Sequence, residues 1–325
     1  MISNNLSKIQ KPILKELKDF DQVFKDSLRS DVRLVDFVIK FILKQKGKKI
    51  RPLLVLLSAK VSGEINNRSH RGATLVELLH TATLVHDDVV DEAAKRRGLP
   101  SLNNIWGNKI SVLMGDYLLS KGLMIAVDGE DFDFLKTITD TVRRMSEGEL
   151  LQIYKTKKLD IDEETYFKII SDKTASLIGT CCEIGARSAT TSEEKINALR
   201  NYGEYLGMAF QIKDDILDFT GTKKIGKPLG GDIKEKKLTL PLIHTLSKEG
   251  KSSVNKIKKG IKKGEKNKGI NELIELVKSN GGIEYSLKAA HEYSEKAKEC
   301  LNVFEDSEYK ESLITLVDFV IDREK

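Results

Sequence analysis

Two stretches of this 325-residue chain share one acidic spacing, Asp87-Asp88-Val-Val-Asp91 and Asp214-Asp215-Ile-Leu-Asp218. Each follows a mostly apolar turn (Ala82 to Val85, Met208 to Ile212) and contains neither proline nor glycine. On a helix, carboxylates at i, i+1 and i+4 share one side, with the i and i+4 pair only about 40° apart. Like charges so placed weaken a helix. The pattern therefore asks for counter-charge, which hard divalent cations with oxygen ligands supply. A single copy reads as a solvated helix face. Two matched copies far apart in sequence predict two helices facing each other across a cavity, a site for a polyanion bridged by metal.

Helical periodicity dominates the rest. Apolar residues recur at i, i+3/i+4 and i+7 over Leu14 to Phe24, Val32 to Leu43, Pro52 to Val61 and Thr74 to Asp91. The same holds for Leu102 to Val127, Phe132 to Tyr154, Glu163 to Ala189, Lys195 to Phe219, Leu238 to Leu246, Ile270 to Val277, Ile283 to Phe304 and Tyr309 to Ile321. Breaks at Gly98-Leu-Pro100, Asp128-Gly129 and Ser279-Asn-Gly-Gly282 mark loops. No strand alternation or internal repeat is found. Thr220 to Lys237 is the one long polar, glycine-bearing loop, and it directly follows the second acidic cluster. The expected fold is all-α, one domain over residues 1–325 with about a dozen helices.

Composition narrows the class. With 40% hydrophobic residues, 32% charged and 5 prolines, the chain reads as a soluble, mainly helical globule. The net charge of +6 comes mostly from lysines of the C-terminal third, notably Lys251 to Lys268. That stretch lacks aromatics and reads as a solvated connector rather than a nucleic-acid surface. Cys181, Cys182 and Cys300 offer no zinc spacing and read as buried thiols of a reducing compartment. The N-terminus has no apolar core of signal-peptide length, and no run of about 18 apolar residues is found, so a cytoplasmic protein without a membrane span is expected.

Basic groups accompany the acids. Arg96 and Arg97 follow Asp91 within a few residues, and guanidinium groups recognise phosphate oxygens bidentately; intrahelical pairing with Asp91 and Glu92 is the bland alternative. Lys46-Gly-Lys48-Lys49-Ile-Arg51-Pro52 precedes an apolar helix, where Lys48, Arg51 and the helix N-terminus can meet an anion. Lys173-Thr174 lies inside a helical segment, either exposed or reaching into a cavity. His80 and His86 are badly spaced for joint metal ligation, and packing or a hydrogen bond to a carboxylate is the default for His86. Nucleophilic, redox and dinucleotide motifs are missing.

The stretch from Glu77 through His80, His86, Asp87, Asp88 and Asp91 to Arg96-Arg97-Gly98 resembles the first aspartate-rich region of the trans-isoprenyl diphosphate synthases. Gly207 to Asp218, Gly226-Lys227-Pro-Leu-Gly-Gly-Asp232 and Lys237 to Pro241 resemble the second region. Gly47 to Pro52 is similar to the family's basic motif, with Lys46 where a second glycine is common. The motifs run in the family's order from about residue 46 to 241; the last 80 or so residues add little. The resemblance implies an all-α isoprenoid synthase bundle around a central cavity, usually a homodimer. By motif position, Asp87, Asp88, Asp91, Asp214, Asp215 and Asp218 would bind Mg2+, about three ions per site, bridging the allylic diphosphate. Arg96, Lys173, Lys227 and Lys237 would contact that diphosphate, and Lys48, Arg51, His80 and Arg97 would hold isopentenyl diphosphate. Gln211 and Thr174 would line the reaction centre. The implied reaction is ionisation of an allylic diphosphate, attack by isopentenyl diphosphate and proton loss, in a dry apolar pocket.

Chain length hangs on small residues. Ala82 and Thr83 lie about one helical turn (~6–7.5 Å) before Asp87, where short-chain members carry an aromatic. Their small side chains imply an open tunnel. Val112 to Tyr117 is similar to the octaprenyl type that makes quinone side chains. A product of roughly C30 or longer, near C40, is expected, released through peripheral membrane contact. Met124 or Phe132 on a neighbouring helix is an alternative floor. Competing readings are a short-chain (about C15–C20) synthase, a non-catalytic subunit of a two-component synthase, a class I terpene cyclase and a structural helical scaffold. Partner subunits usually lose one aspartate cluster, and cyclases replace the second; this chain keeps both.

Overall fold

A computed structural model describes residues 2–45, 47–96, 98–221, 229–264 and 267–323. In chain order its helices are α1 (Ile2–Gln10), α2 (Leu14–Ser27), α3 (Arg33–Lys44), α4 (Ile50–Ser62), α5 (Asn67–Val90), α6 (Leu102–Asp128), α7 (Phe132–Lys158) and α8 (Glu163–Ile170). A π-helical turn, Ser171–Ala175, leads into α9 (Ser176–Ala189) and α10 (Glu193–Thr220). Then come α11 (Gly231–Lys234), α12 (Leu240–Lys248), α13 (Lys251–Lys263), α14 (Asn267–Ser279), α15 (Gly282–Glu299) and α16 (Glu308–Asp322).

The centre of the bundle is α4. Leu53 to Leu57 are all fully buried, so this helix is apolar all round rather than along one stripe. Each such side chain contributes about 1.5–3 kcal/mol of burial. The backbone of α9 lies against α4 so closely that a Cβ on Gly185 would sit 2.2 Å from the Val55 carbonyl oxygen. Helix α5 begins earlier than its apolar pattern, because Asn66 caps it. The Asn66 side-chain oxygen accepts from Arg68 N (2.9 Å) and Ser69 N (3.1 Å), and Ser69 Oγ accepts from Asn66 N (3.2 Å).

Two sequence expectations need correction. Within the stretch expected to be a connector, Lys251–Lys263 is a packed helix: Val254, Ile257 and Ile261 recur at helical spacing and seat α13 on the cluster that contains Ile233, Leu246 and Ile270. Strand pairing is present after α5, where Lys95 and Arg96 pair antiparallel with Pro100 and Leu99. Its two-residue strands are too short to show alternation. Helix α6 is long and apolar enough to cross a membrane by length and composition alone, a test that a helix packed on a protein core also passes, and no membrane-spanning helix is clearly indicated among the described residues. The buried stripe of α6 (Met114, Leu118) packs on Leu78, Ala82 and Val85 of α5.

Gly185→Ala is expected to lower unfolding free energy by about 1–3 kcal/mol, because the methyl meets backbone that cannot yield. Gly250→Ala, with nothing within 4 Å of its Cβ position, should be near neutral. Urea denaturation of the two variants checks the contrast; equal midpoints would reject the close α4–α9 approach.

Candidate active site

Both acidic clusters close their helices: Asp87 and Asp88 lie in the last turn of α5 with Asp91 as its C-cap, and Asp214 to Asp218 lie in the last two turns of α10. A helix C-terminus already carries partial negative charge, so carboxylates there are at the wrong end of the dipole. Both sites therefore call for cations from elsewhere in the fold.

The carboxylates of each cluster do not share one face, as their spacing suggested. Asp87 and Asp88 are one residue apart, so they diverge by about 100° around the helix. Asp88 is buried and accepts from Arg96 Nε at 2.6 Å, while Asp91 is exposed. Asp87 is half-buried, and burial raises its pKa above the ordinary carboxylate range. Lys173 pulls it back, Glu149 and Asp91 add to the rise, and Arg96 opposes it. In the second cluster, Asp214 is 58% exposed. Asp215 is buried, with Oδ2 accepting from the Tyr166 hydroxyl (2.7 Å) and Oδ1 from Gln211 Nε2 (2.9 Å). Asp218 accepts from Gly231 N and Asp232 N, each at 3.0 Å, and so caps α11 and ties the following loop back to α10.

Lys173 and Lys237 join the two clusters. A cavity of about 450 Å3 is lined by Lys173, Thr174, Gln211, Asp214, Asp215, Asp218 and Lys237. Lys173 acts electrostatically on Asp87 of the first cluster and ion-pairs with Glu149. Burial lowers the Lys237 pKa, but Glu235, Asp232 and Asp91 together raise it above the ordinary value. The acids of α5 and α10 thus face one shared cationic wall. A second cavity of about 440 Å3 is lined by His80, Asp88 and Arg96, with Gly47, Lys49 and Glu77. Gly47 and Lys49 bring the basic motif to it, and Lys49, in left-handed conformation (φ 51°), turns the chain into α4.

Lys48, Arg51, Ala82 and Thr83 line neither of these two cavities. Lys48 Nζ sits 5.8 Å from the Phe319 ring centroid, and Arg51 is half-buried near the Cys181 thiol. Ala82 is 1% exposed among the residues packed between α3, α5 and α6. Thr83, on the stripe of Asp87, is partly exposed. His86 Nε2 lies 3.3 Å from Asp116 and from the Val112 carbonyl. Arg96 pairs with Asp88, not with Asp91 or Glu92. Met124 and Phe132 are exposed to solvent. Arg97 and Lys227 lie outside the described residues.

Sequence reading passed over several neighbours. Glu149 and Gln152 form a polar i, i+3 pair on α7 that a search for cavity-facing polar stripes would have found. Tyr166 was hidden as an aromatic in an apolar run. Arg323 left no signal: it lies just past α16, yet its guanidinium stacks 4.0 Å from the Phe210 ring and sits 3.3 Å from Asp214 Oδ1.

Among the described residues no three acidic, His or Cys side chains converge closely enough to hold an ion alone. All-oxygen donors on separate helices, with an exposed Asp214, suit an ion that keeps water and takes phosphate oxygens as ligands, which is the habit of Mg2+. The residues fit that ion.

Burial lifts the Asp215 pKa from 3.8 to about 8, with Asp232 adding and Tyr166 and Gln211 opposing. Between those values the folded protein keeps a proton that the unfolded chain has released. Stability of protein freed of divalent ions should therefore fall as pH rises from about 4 to about 8, by at most about 1.4 kcal/mol per pH unit from this group, and level off above. Asp215→Asn should flatten that slope in urea titrations; an identical slope in both proteins would reject the assignment.

Comparison with known proteins places the chain in a family. The polyprenyl synthetase family model matches residues 32–277. The chain is 34% identical over 320 residues to the octaprenyl diphosphate synthase of Haemophilus influenzae, covering 98% of this chain and 97% of that protein. It is 36% identical to a short chain isoprenyl diphosphate synthase of Methanothermobacter thermautotrophicus, over 86% of this chain and 87% of that one. The crystal structure of a polyprenyl synthase from Caulobacter crescentus, complexed with calcium and isoprenyl diphosphate, superposes with TM-score 0.90 at 33% identity and covers 98% of both chains.

Proposed function

Since this chain belongs to the polyprenyl synthetase family and is a trans-prenyl diphosphate synthase, a prenyltransferase, we propose that it extends an allylic diphosphate such as farnesyl diphosphate with isopentenyl diphosphate to a long all-trans chain of about C40, for quinone side chains. The whole of residues 1–325 acts as one catalytic domain. The observation that carries this reading is the cationic wall of Lys173 and Lys237 facing acids of both α5 and α10.

In this reading Asp87, Asp91 and Asp214 offer carboxylates to Mg2+, with Asp88, Asp215 and Asp218 completing the acidic set. Held by these carboxylates, Mg2+ would supply positive charge against the diphosphate charge that grows as the allylic C–O bond breaks. Lys173, Lys237, Arg96 and Lys227 hold the same diphosphate from the protein side. His80, Lys48, Arg51 and Arg97 hold isopentenyl diphosphate, whose double bond attacks the allylic carbon. Thr174, donating to Gln211 Oε1 at 3.0 Å, lines the reaction centre. The departing diphosphate takes the proton lost on elongation, so no side-chain base is required. In this reading the small side chains of Ala82 and Thr83 leave room for the growing chain below Asp87. Free, mostly buried cysteines suit a reducing cytoplasm. A long product is a lipid, so release calls for peripheral contact with a membrane.

A homodimer completes the reading. Val112, Leu113, Met124 and Val127 are exposed and fall within about a third of the α6 circumference. An apolar stripe opposite a packed one marks a surface for a second copy.

Purified protein incubated with Mg2+, labelled isopentenyl diphosphate and farnesyl diphosphate should yield prenols of about C40 on chromatography, and Asp87→Ala or Asp214→Ala should lower kcat about 10²–10³-fold. No elongation from any allylic primer would favour the partner-subunit reading. Ala82→Phe or Thr83→Phe should shorten the product toward roughly C15–C20; unchanged length in folded protein rejects the tunnel assignment. Leu113→Asp with Met124→Asp should give monomer by light scattering, and an intact dimer would refute this interface.

A further inference from the structure

The π-helical turn Ser171–Ala175 carries Lys173 and Thr174 between α8 and α9. A π turn shifts the rotational phase of the residues within it, and it persists where neighbours hold it. Three neighbours do so here. A Cβ on Gly148 of α7 would lie 3.0 Å from Asp172 Cβ and 3.1 Å from Lys173 N. One on Gly207 of α10 would lie 2.5 Å from Ala175 Cα. The turn is thus gripped at two glycines, with no room for a Cβ at Gly207 and tight contact for one at Gly148. The third neighbour is Arg144 of α7, which donates from Nε to Asp172 Oδ1 (3.0 Å), from Nη2 to Ser171 Oγ (3.2 Å) and from Nη1 to Glu204 Oε1 of α10 (2.7 Å). Lys168 Nζ takes the other Asp172 oxygen at 2.8 Å.

The Arg144 and Asp172 side chains are 19% and 11% exposed, so this ion pair is largely shielded from water and strongly dependent on geometry. Asp172 faces the clamp, while the next two residues line the larger cavity. We infer that Arg144 is a positioning residue of the reaction: through Asp172 and Ser171 it holds the π turn in the phase that presents Lys173 to the allylic diphosphate and Thr174 to the reaction centre. This rests on the roles proposed above for Lys173 and Thr174. A planar guanidinium reaches three acceptors on two elements at once, and an ammonium on a flexible stem does not. A catalytic group misplaced by about 1 Å loses on the order of a hundredfold in rate.

Arg144→Lys keeps the charge and tests the geometry. It should raise KM for the allylic diphosphate and lower kcat, reducing kcat/KM by roughly ten- to a hundredfold, with KM for isopentenyl diphosphate unchanged. In a Lys173→Ala/Thr174→Ala background the same change should have no further effect on kcat/KM. Asp172→Asn, which leaves the side-chain shape intact, should follow the same pattern. A purely structural role would lower the active fraction equally in both backgrounds and leave both KM values alone, so losses that multiply, or wild-type kinetics in Arg144→Lys, overturn the inference. An unchanged allylic KM in Lys173→Ala would instead overturn the role of Lys173, and the two failures are told apart by that single variant.

Discussion

Carboxylates at the negative ends of two helices are the constraint around which this molecule is organised. Neither α5 nor α10 can end in three aspartates without cations, because the dipole, mutual repulsion and partial burial all act against the charged form. The fold answers with residues from other elements: Arg96 from the turn after α5, Lys173 from the π turn, Lys237 from the loop after α11, and Arg323 from the C-terminus. Charge is nonetheless left in excess, since Asp87 still has Glu149 and Asp91 acting against its ionised form. That excess is what a divalent ion and a diphosphate can complete together.

Equal residues in the two motifs take unequal tasks because their neighbours differ. Asp88 and Asp215 are both buried, yet Asp88 is met by a guanidinium, whereas burial and the neighbouring Asp232 hold Asp215 far above the usual carboxylate range against the hydrogen bonds from its phenol and amide partners. Asp218 spends both oxygens on backbone donors and shapes the loop that carries Asp232 and Lys237. Asp214 stays exposed, with Arg323 as its partner. The separation into solvent-facing carboxylate, buried anchor and loop cap follows from the roughly 100° step between adjacent helical residues and from what each direction meets.

Away from the acids, close backbone contact replaces bulky packing. Gly185 against Val55, and Gly148 and Gly207 against the π turn, bring α4, α7, α9 and α10 near enough for short polar side chains to span between them. The hydrogen bond from Thr174 to Gln211 depends on that approach. On the outer face, α6 does the opposite and leaves large aliphatic side chains uncovered.

Most helices were legible because an amphipathic stripe is a local property: the periodic runs from Leu14 to Ile321 match α2 to α4, α6, α7, α10, α12 and α14 to α16 within a few residues, while α5 begins well before its run and the single run from Glu163 to Ala189 covers α8, the π turn and α9. The matched acidic pentapeptides, and the basic groups in order around them, were likewise readable and pointed to the family that the comparisons show. What local pattern did not carry was direction and partnership. That Asp87 and Asp88 diverge, that Lys48 lies over Phe319 while Lys49 lines a cavity, that Lys251 to Lys263 is a helix on a hydrophobic cluster, and that Arg323 reaches back to Asp214 all depend on contacts between distant segments. Residue order sets which chemistry the chain carries. Where each charge points is decided only when helices pack, because burial and distance, the two quantities that govern electrostatic energy, exist only in the assembled fold.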